Sequence, residues 1–271
     1  LRWQKLLSIG PRELLVRGQQ EWSKTLECWL GRGSGERPDS EFIASEIRPE
    51  YRDRSSETVA GHIMARIQND LKGQWLEQFS SRDAVSAITK RRFGDVAAQI
   101  IEKADRVHRG RFDLLGFQDL SFGSPINWSC DPLSGKVAPA DHWSKIDYLN
   151  PDSVGDQKVI WELNRHQYLV TLGQAYWLTR DERYAESFVA HVSSWIDSNP
   201  PKTGVNWTSS LELAFRLISW IWALSLFARS EKITPKFVFR LLKSIVAQAE
   251  HIEAYLSYYF SPNTHLTGEA L

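Results

Sequence analysis

Three short runs in this 271-residue chain carry side chains whose types and spacing could do chemistry. The first is Trp161-Glu162-Leu163-Asn164-Arg165-His166. On a helix, Glu162 meets Arg165 at i,i+3 and His166 at i,i+4, so the charged groups share one face. As plain structure this is a surface ion pair worth about 0.2–0.5 kcal/mol; as a site, Arg165 could hold an anionic ligand. The second run is Asn206-Trp207-Thr208-Ser209-Ser210-Leu211-Glu212, continuing to Arg216. Ser209 with Glu212 has capping-box spacing. Glu212 and Arg216 stand at i,i+4 on a very apolar helix, where they either pair as buried charges or face a cleft that takes a carboxylate. The third run is Ser261-Pro262-Asn263-Thr264-His265-Leu266-Thr267-Gly268-Glu269. Pro262 and Asn263 break the preceding helix, and Asn263 or Thr264 suits an N-cap. Capping does not call for His265 and Glu269 on the next turn, and histidine is the side chain that changes charge near neutrality.

The elements that position these runs are almost all helical by period. Pro11 to Leu30 opens with proline and closes before Gly31, as helix ends require. Thr58 to Phe79 and Ala84 to Val107 repeat the apolar stripe, as do Val159 to Leu178 and the segment from Asp181 to just before Pro200. Ser210 to Ala228 is apolar nearly all round, the pattern of a helix buried on most sides. Thr234-Pro235 caps a helix running to about Tyr259, and His265 to Leu271 reads as the first turns of another. Between Phe112 and Lys158 the period vanishes amid Gly, Pro, Trp128, Trp143 and Tyr148. So long a stretch is uncommon inside a compact domain and too apolar for a solvated linker. It predicts a packed loop wall beside a cleft, with Trp128 facing the ligand. The fold class expected is all-α: antiparallel helical hairpins with short connections, arranged as an incomplete (α/α) toroid rather than a solenoid, since no fixed-length repeat is present. The organisation expected is a helical lead-in over 1–111 and a toroid portion with cleft loops over 112–271.

Composition narrows the partners. Thirty-three basic residues balance thirty-three acidic ones, which excludes a generic nucleic-acid footprint. No apolar run is read as a bilayer span. Cys28 and Cys130 match no zinc spacing and stand as buried or half-buried thiols, with a disulfide between them left open. Twelve Trp, twelve Phe and eight Tyr accompany a single Met. Most of the Trp residues belong in a core between helices, but indole also suits a flat, partly polar ligand such as a sugar ring.

Taken in order, WELNRHQYL, AYWLTRDERYAE, SWIDSNP, GVNWTSSLELAFR and SPNTHLTGEAL resemble the N-terminal helical domain of heparinase II/III-type polysaccharide lyases. The resemblance covers residues 112–271, and the first hundred match only as a generic helical lead-in. It implies a toroid followed by a β-sandwich domain, an anionic polysaccharide as partner, no cofactor or metal, an exported location, and β-elimination on uronate-containing chains. Removing the proton beside a uronate carboxylate requires that the carboxylate be neutralised, with a base for the proton and an acid for the leaving oxygen. By resemblance, Asn263 and His265 are the neutralising candidates, although the family often has Asn directly before this His, where Thr264 stands. The acid–base Tyr and second His are expected beyond Leu271, so this stretch alone is expected to bind rather than turn over. Substrate contacts are expected from Trp128, Arg165, Asn206, Trp207, Glu212 and Arg216. Two alternatives remain: an (α/α) glycoside hydrolase, whose paired carboxylates would come from Asp131, Asp141, Asp147 or Glu212, and a non-catalytic carbohydrate-binding or scaffold module.

Overall fold

The computed structural model describes residues 10–31, 35–70, 81–259 and 263–271. Helix α1 (Pro11–Leu30) starts on its proline and ends at Gly31, whose φ of 60° is left-handed, a conformation glycine adopts without steric cost. Then come α2 (Asp39–Glu46), a 3-10 turn (Pro49–Tyr51) and α3 (Ser56–Asp70). The remainder of the helix expected to Phe79 lies outside the described residues. The single helix expected over Ala84–Val107 is two, α4 (Arg82–Arg92) and α5 (Gly94–His108). The chain leaves helical geometry at Phe93, φ −134° and ψ 46°, just before Gly94, a poor helix former.

The aperiodic stretch is a packed wall, as expected. It opens with a hairpin of β1 (Phe112–Leu114) and β2 (Phe117–Leu120). Their turn puts both Leu115 and Gly116 at positive φ, the geometry that joins antiparallel strands without splaying them. Phe112, Phe122, Trp128, Trp143 and Ile146 are buried along it. Asp131 ties the wall together by accepting from the N–H groups of Leu133 and Asp156, both at 3.0 Å. Burial alone would raise its pKa, but these N–H groups and Ser134 outweigh it and hold the carboxyl below its usual value. Gly155 is required beside it, because a Cβ there would sit 2.7 Å from Asp131.

The helices then return as α6 (Pro151–Val154), α7 (Gln157–Asn164), α8 (Tyr168–Thr179) and α9 (Arg183–Ser198), a 3-10 turn (Val205–Trp207), α10 (Ser210–Phe227), α11 (Pro235–Ala254) and α12 (Thr264–Glu269). The expected continuous helix from Val159 to Leu178 is therefore also two. His166 breaks it at φ 58°, and tertiary contacts account for the break. Its ring is fully buried, accepts from Trp220 Nε1 at 2.7 Å and packs against Trp128 and Trp195. His166 thus turns away from Glu162 instead of sharing its face.

The largest hydrophobic cluster among the described residues joins α5 and α7 to α11. Leu169, Leu172, Ala175, Phe188, Trp195, Trp220 and Phe227 meet at its centre, with Ala104 and Val107 of α5 in the same cluster. Each such large side chain contributes about 1.5–3 kcal/mol by leaving water. Gly173 lets α8 and α10 approach, since a Cβ would come 2.6 Å from Leu226. Contrary to the expectation that no run could span a bilayer, the 18 residues of α10 suffice in length and apolarity. Most of that helix is buried inside the fold, which marks it as the core helix the all-round apolar pattern anticipated. The described residues are all-α apart from the small hairpin. Cys28 and Cys130 are free thiols.

Candidate functional site

A groove of about 1100 Å³ runs between α1, the loop from Trp143 to Leu149, the start of α10, the end of α11 and His265. Its α1 wall follows from helical spacing: Arg17, Gln20, Glu21, Lys24 and Cys28 recur at three and four residues and form one polar face. That face is held to the body by polar contacts. Arg17 donates to the Tyr259 carbonyl at 2.8 Å, Gln20 to the Leu256 carbonyl at 3.1 Å, and Lys202 pairs with Glu27 at 2.6 Å. Opposite stand Tyr148 and Trp161, with ring centroids 5.4 Å apart. Trp29 is largely exposed at the lip.

At the head of α10, Glu212 lines the groove with its carboxylate held from behind. Arg165 donates to it through Nε at 2.6 Å and Nη2 at 2.9 Å, and through Nη1 to Glu162 at 2.7 Å. This two-pronged bond, opposed only in part by burial, raises the Arg165 pKa. The Glu162–Arg165 pair read from spacing is present. The Ser209 side chain makes no cap hydrogen bond, so no capping box forms, because Glu212 is turned to Arg165.

Glu212 therefore does not pair with Arg216, and Arg216 does not face the groove. Its guanidinium is fully buried, lies 4.1 Å from the Trp195 ring centre and donates to three acceptors. These are Gln248 Oε1 at 2.8 Å and the carbonyls of Asn164 and Asn206, both at 3.1 Å. Burial without a hydrogen-bonded carboxylate pushes its pKa down to about 9. Asn206 is interior too, donating to the Trp128 carbonyl at 3.0 Å and to Asn199 Oδ1 at 2.8 Å. Trp207 Nε1 donates to the Asn199 carbonyl, and Trp128 Nε1 to Ser194 Oγ at 3.1 Å. Trp128, Asn206, Trp207 and Arg216, expected at the ligand, thus form a buried polar network behind the groove. The physical reason is that their N–H donors find acceptors on neighbouring backbone and side chains, which lets large aromatics and a guanidinium stay in the interior.

The last motif is split. His265 lines the groove. Asn263 is exposed, and its Oδ1 caps α12 by accepting from Thr264 N at 2.7 Å. Glu269 anchors the turn by accepting from Ser257 N and Oγ at 2.7 and 2.6 Å. Gly268 lets α12 press onto α10, where a Cβ would sit 2.6 Å from Leu211. The structure thus brings together His265, Glu212 and, behind it, Arg165.

The groove also uses residues that the sequence reading did not assign to the ligand: Trp161 of the first run, Trp143 and Tyr148 of the loop wall, and the α1 face, His251 and Tyr255. The polar stripe of α1 was the available signal, and it went unused because that helix read as a lead-in. Among the described residues no group of three His, Cys, Asp or Glu could hold a metal ion.

An all-α body with an aromatic and charged groove is the class defined so far. The family model for the heparinase II/III N-terminus matches residues 50–271, and the chain belongs to that family. It is 32% identical over 97 residues to a heparin-sulfate lyase of Bacteroides thetaiotaomicron, covering 35% of this chain and 14% of that protein. It is 27% identical over 161 residues to a heparin-sulfate lyase of Pedobacter heparinus, covering 57% and 20%. The crystal structure of heparan sulfate lyase HepC from Pedobacter heparinus superposes with a TM-score of 0.56 at 20% identity, over 89% of this chain and 33% of that one. The chain spans a third or less of these relatives, and the structural likeness speaks for the fold.

Proposed function

We propose that this chain is the substrate-binding helical part of a polysaccharide lyase that cleaves uronate-containing anionic polysaccharide by β-elimination. The observation that carries this reading is the groove itself. One trough holds aromatic faces for sugar rings (Trp29, Tyr148, Trp161), the cations Arg17, Lys24 and Lys145, and His265. Aromatic rings present apolar faces to sugar C–H groups, and the cations with His265 offset a uronate's charge where elimination needs it neutralised. Asn263 stands two residues before His265, and its proposed share in that neutralisation requires it to exchange its cap for the ligand. The acid and base fall to residues other than those described, so this stretch binds and the longer protein turns over.

The hydrolase alternative fits less well. The groove carboxylates Glu21 and Glu212 are engaged by Lys24 and Arg165, Asp131 is committed to loop N–H groups, and Asp141 and Asp147 lie off the groove lining. The test is to incubate the protein extended beyond residue 271 with uronate polymers and follow ultraviolet absorbance. Unsaturated product supports a lyase; new reducing ends without unsaturation refute it.

A further inference from the structure

Helix α1 walls the groove yet takes no part in the core. None of its residues is buried, and among the described residues no hydrophobic cluster includes one of them. Leu15, Trp22 and Trp29 face solvent instead. Most of a helix's stability in a protein comes from packing an apolar face, which α1 lacks and α10 has. Polar ties hold α1 in place. Arg17 and Gln20 bond to backbone carbonyls, Lys24 Nζ lies 5.5 Å from the Trp143 ring centre, and Glu27 pairs with Lys202 at 2.6 Å. That last pair is half shielded from water, with side chains 20% and 13% exposed, so salt screens it less than a surface pair.

The helix is also weak in itself. Gly18 sits in its middle with nothing within 4 Å of where a Cβ would lie. Packing therefore does not call for glycine there, and its effect is to lower the helix's own stability. Once detached, a helix of this length and ordinary composition is marginal in water, so letting go and melting coincide. Few buried apolar contacts mark a unit that opens on its own, below the energy of global unfolding. We infer that α1 is a clamp, which lifts off the groove by local unfolding and refolds over a bound glycan with Glu27–Lys202 as its latch. Refolding carries Arg17 and Lys24, both on the groove wall, onto the ligand, and a bound chain leaves when α1 lifts. Gly18, Glu27 and Lys202 lie off that wall, so they reach the ligand only through α1. This rests on the glycan-binding reading above.

The test pairs amide hydrogen exchange with the dissociation rate of an unsulfated glucuronate-containing hexasaccharide, followed by surface plasmon resonance. In the free chain the amides from Gly18 to Leu26 should exchange together, on the order of a hundredfold faster than those of α8 and α10. Saturating hexasaccharide should slow them. Glu27→Gln should speed both that exchange and hexasaccharide dissociation by about tenfold, the worth of a charge-assisted hydrogen bond, with the melting temperature of the core unchanged. Gly18→Ala should act in reverse, slowing both by about fivefold, a change that misfolding cannot imitate. Exchange in α1 as slow as in α10, or dissociation unmoved in both variants while exchange changes, overturns the clamp and leaves the groove reading intact. No binding by the wild-type chain overturns both.

Discussion

Replacing Arg216 separates a structural from a ligand-binding role for a fully buried charge. Truncation to Ala removes the donors serving Asn164 O, Asn206 O and Gln248 Oε1. Each acceptor left orphaned in the interior costs about 1–3 kcal/mol, so the gross loss is on the order of 3–9 kcal/mol. Part of it is offset, because the guanidinium itself is strained by burial, as its depressed pKa shows. A net destabilisation of about 3–5 kcal/mol is expected, large against a typical total of about 5–15 kcal/mol. For a chain of this size it corresponds to a fall in Tm of roughly 6–20 °C. Arg216→Lys should rescue little, because an ammonium cannot reproduce the planar fork that serves three acceptors while stacking on Trp195. Chemical denaturation with a circular-dichroism melt measures both. A normal Tm in Arg216→Ala combined with weakened glycan binding would refute the reasoning and return Arg216 to the ligand.

Further outcomes follow from the same contacts. Glu212→Gln should cost about 1–2 kcal/mol in a denaturation midpoint, since Arg165 loses a charge-assisted, two-pronged partner; an unchanged midpoint would show that the pair contributes nothing. Gly173→Ala should destabilise by about 1–3 kcal/mol by driving α8 from Leu226, despite alanine's better helix propensity, and a stabilised variant would contradict the close approach. Stability should also fall on acidification. His191 titrates near its ordinary value when unfolded, but burial, then the His108 charge, lowers its pKa to about 4 in the fold. Between about pH 6.5 and 4 the unfolded state therefore binds the extra proton, and stability drops by at most about 3 kcal/mol from this group. His166 and His251, also lowered, act in the same direction. His191→Gln should flatten that slope in melts across the range.

What was legible in the sequence follows the physics of each signal. Helix limits set by local chemistry came through: Pro11 and Gly31, and Thr234, whose Oγ1 accepts from Phe237 N at 3.2 Å. Breaks set by tertiary packing did not. Nothing local marks His166, which leaves helical geometry to fill a pocket of indoles. The apolar character of α10 was plain, but the i,i+4 spacing of Glu212 and Arg216 suggested a pair that long-range partners dissolved. Glu212 found Arg165 on another helix, and Arg216 found backbone carbonyls. Trp128 could not be told from a sugar-stacking indole by composition, and only burial distinguishes them. Trp128→Ala is consequently a stability variant, unsuited to probing binding. His265 stood out because helix capping left it unexplained, and it lines the groove.

The most direct measurement is a crystal structure of this chain soaked with an unsulfated glucuronate-containing oligosaccharide. Sugar rings should lie along the trough against Tyr148 and Trp161 with a carboxylate next to His265. Rings bound on another face, with the trough still solvent-filled at saturating ligand, would contradict the proposed role.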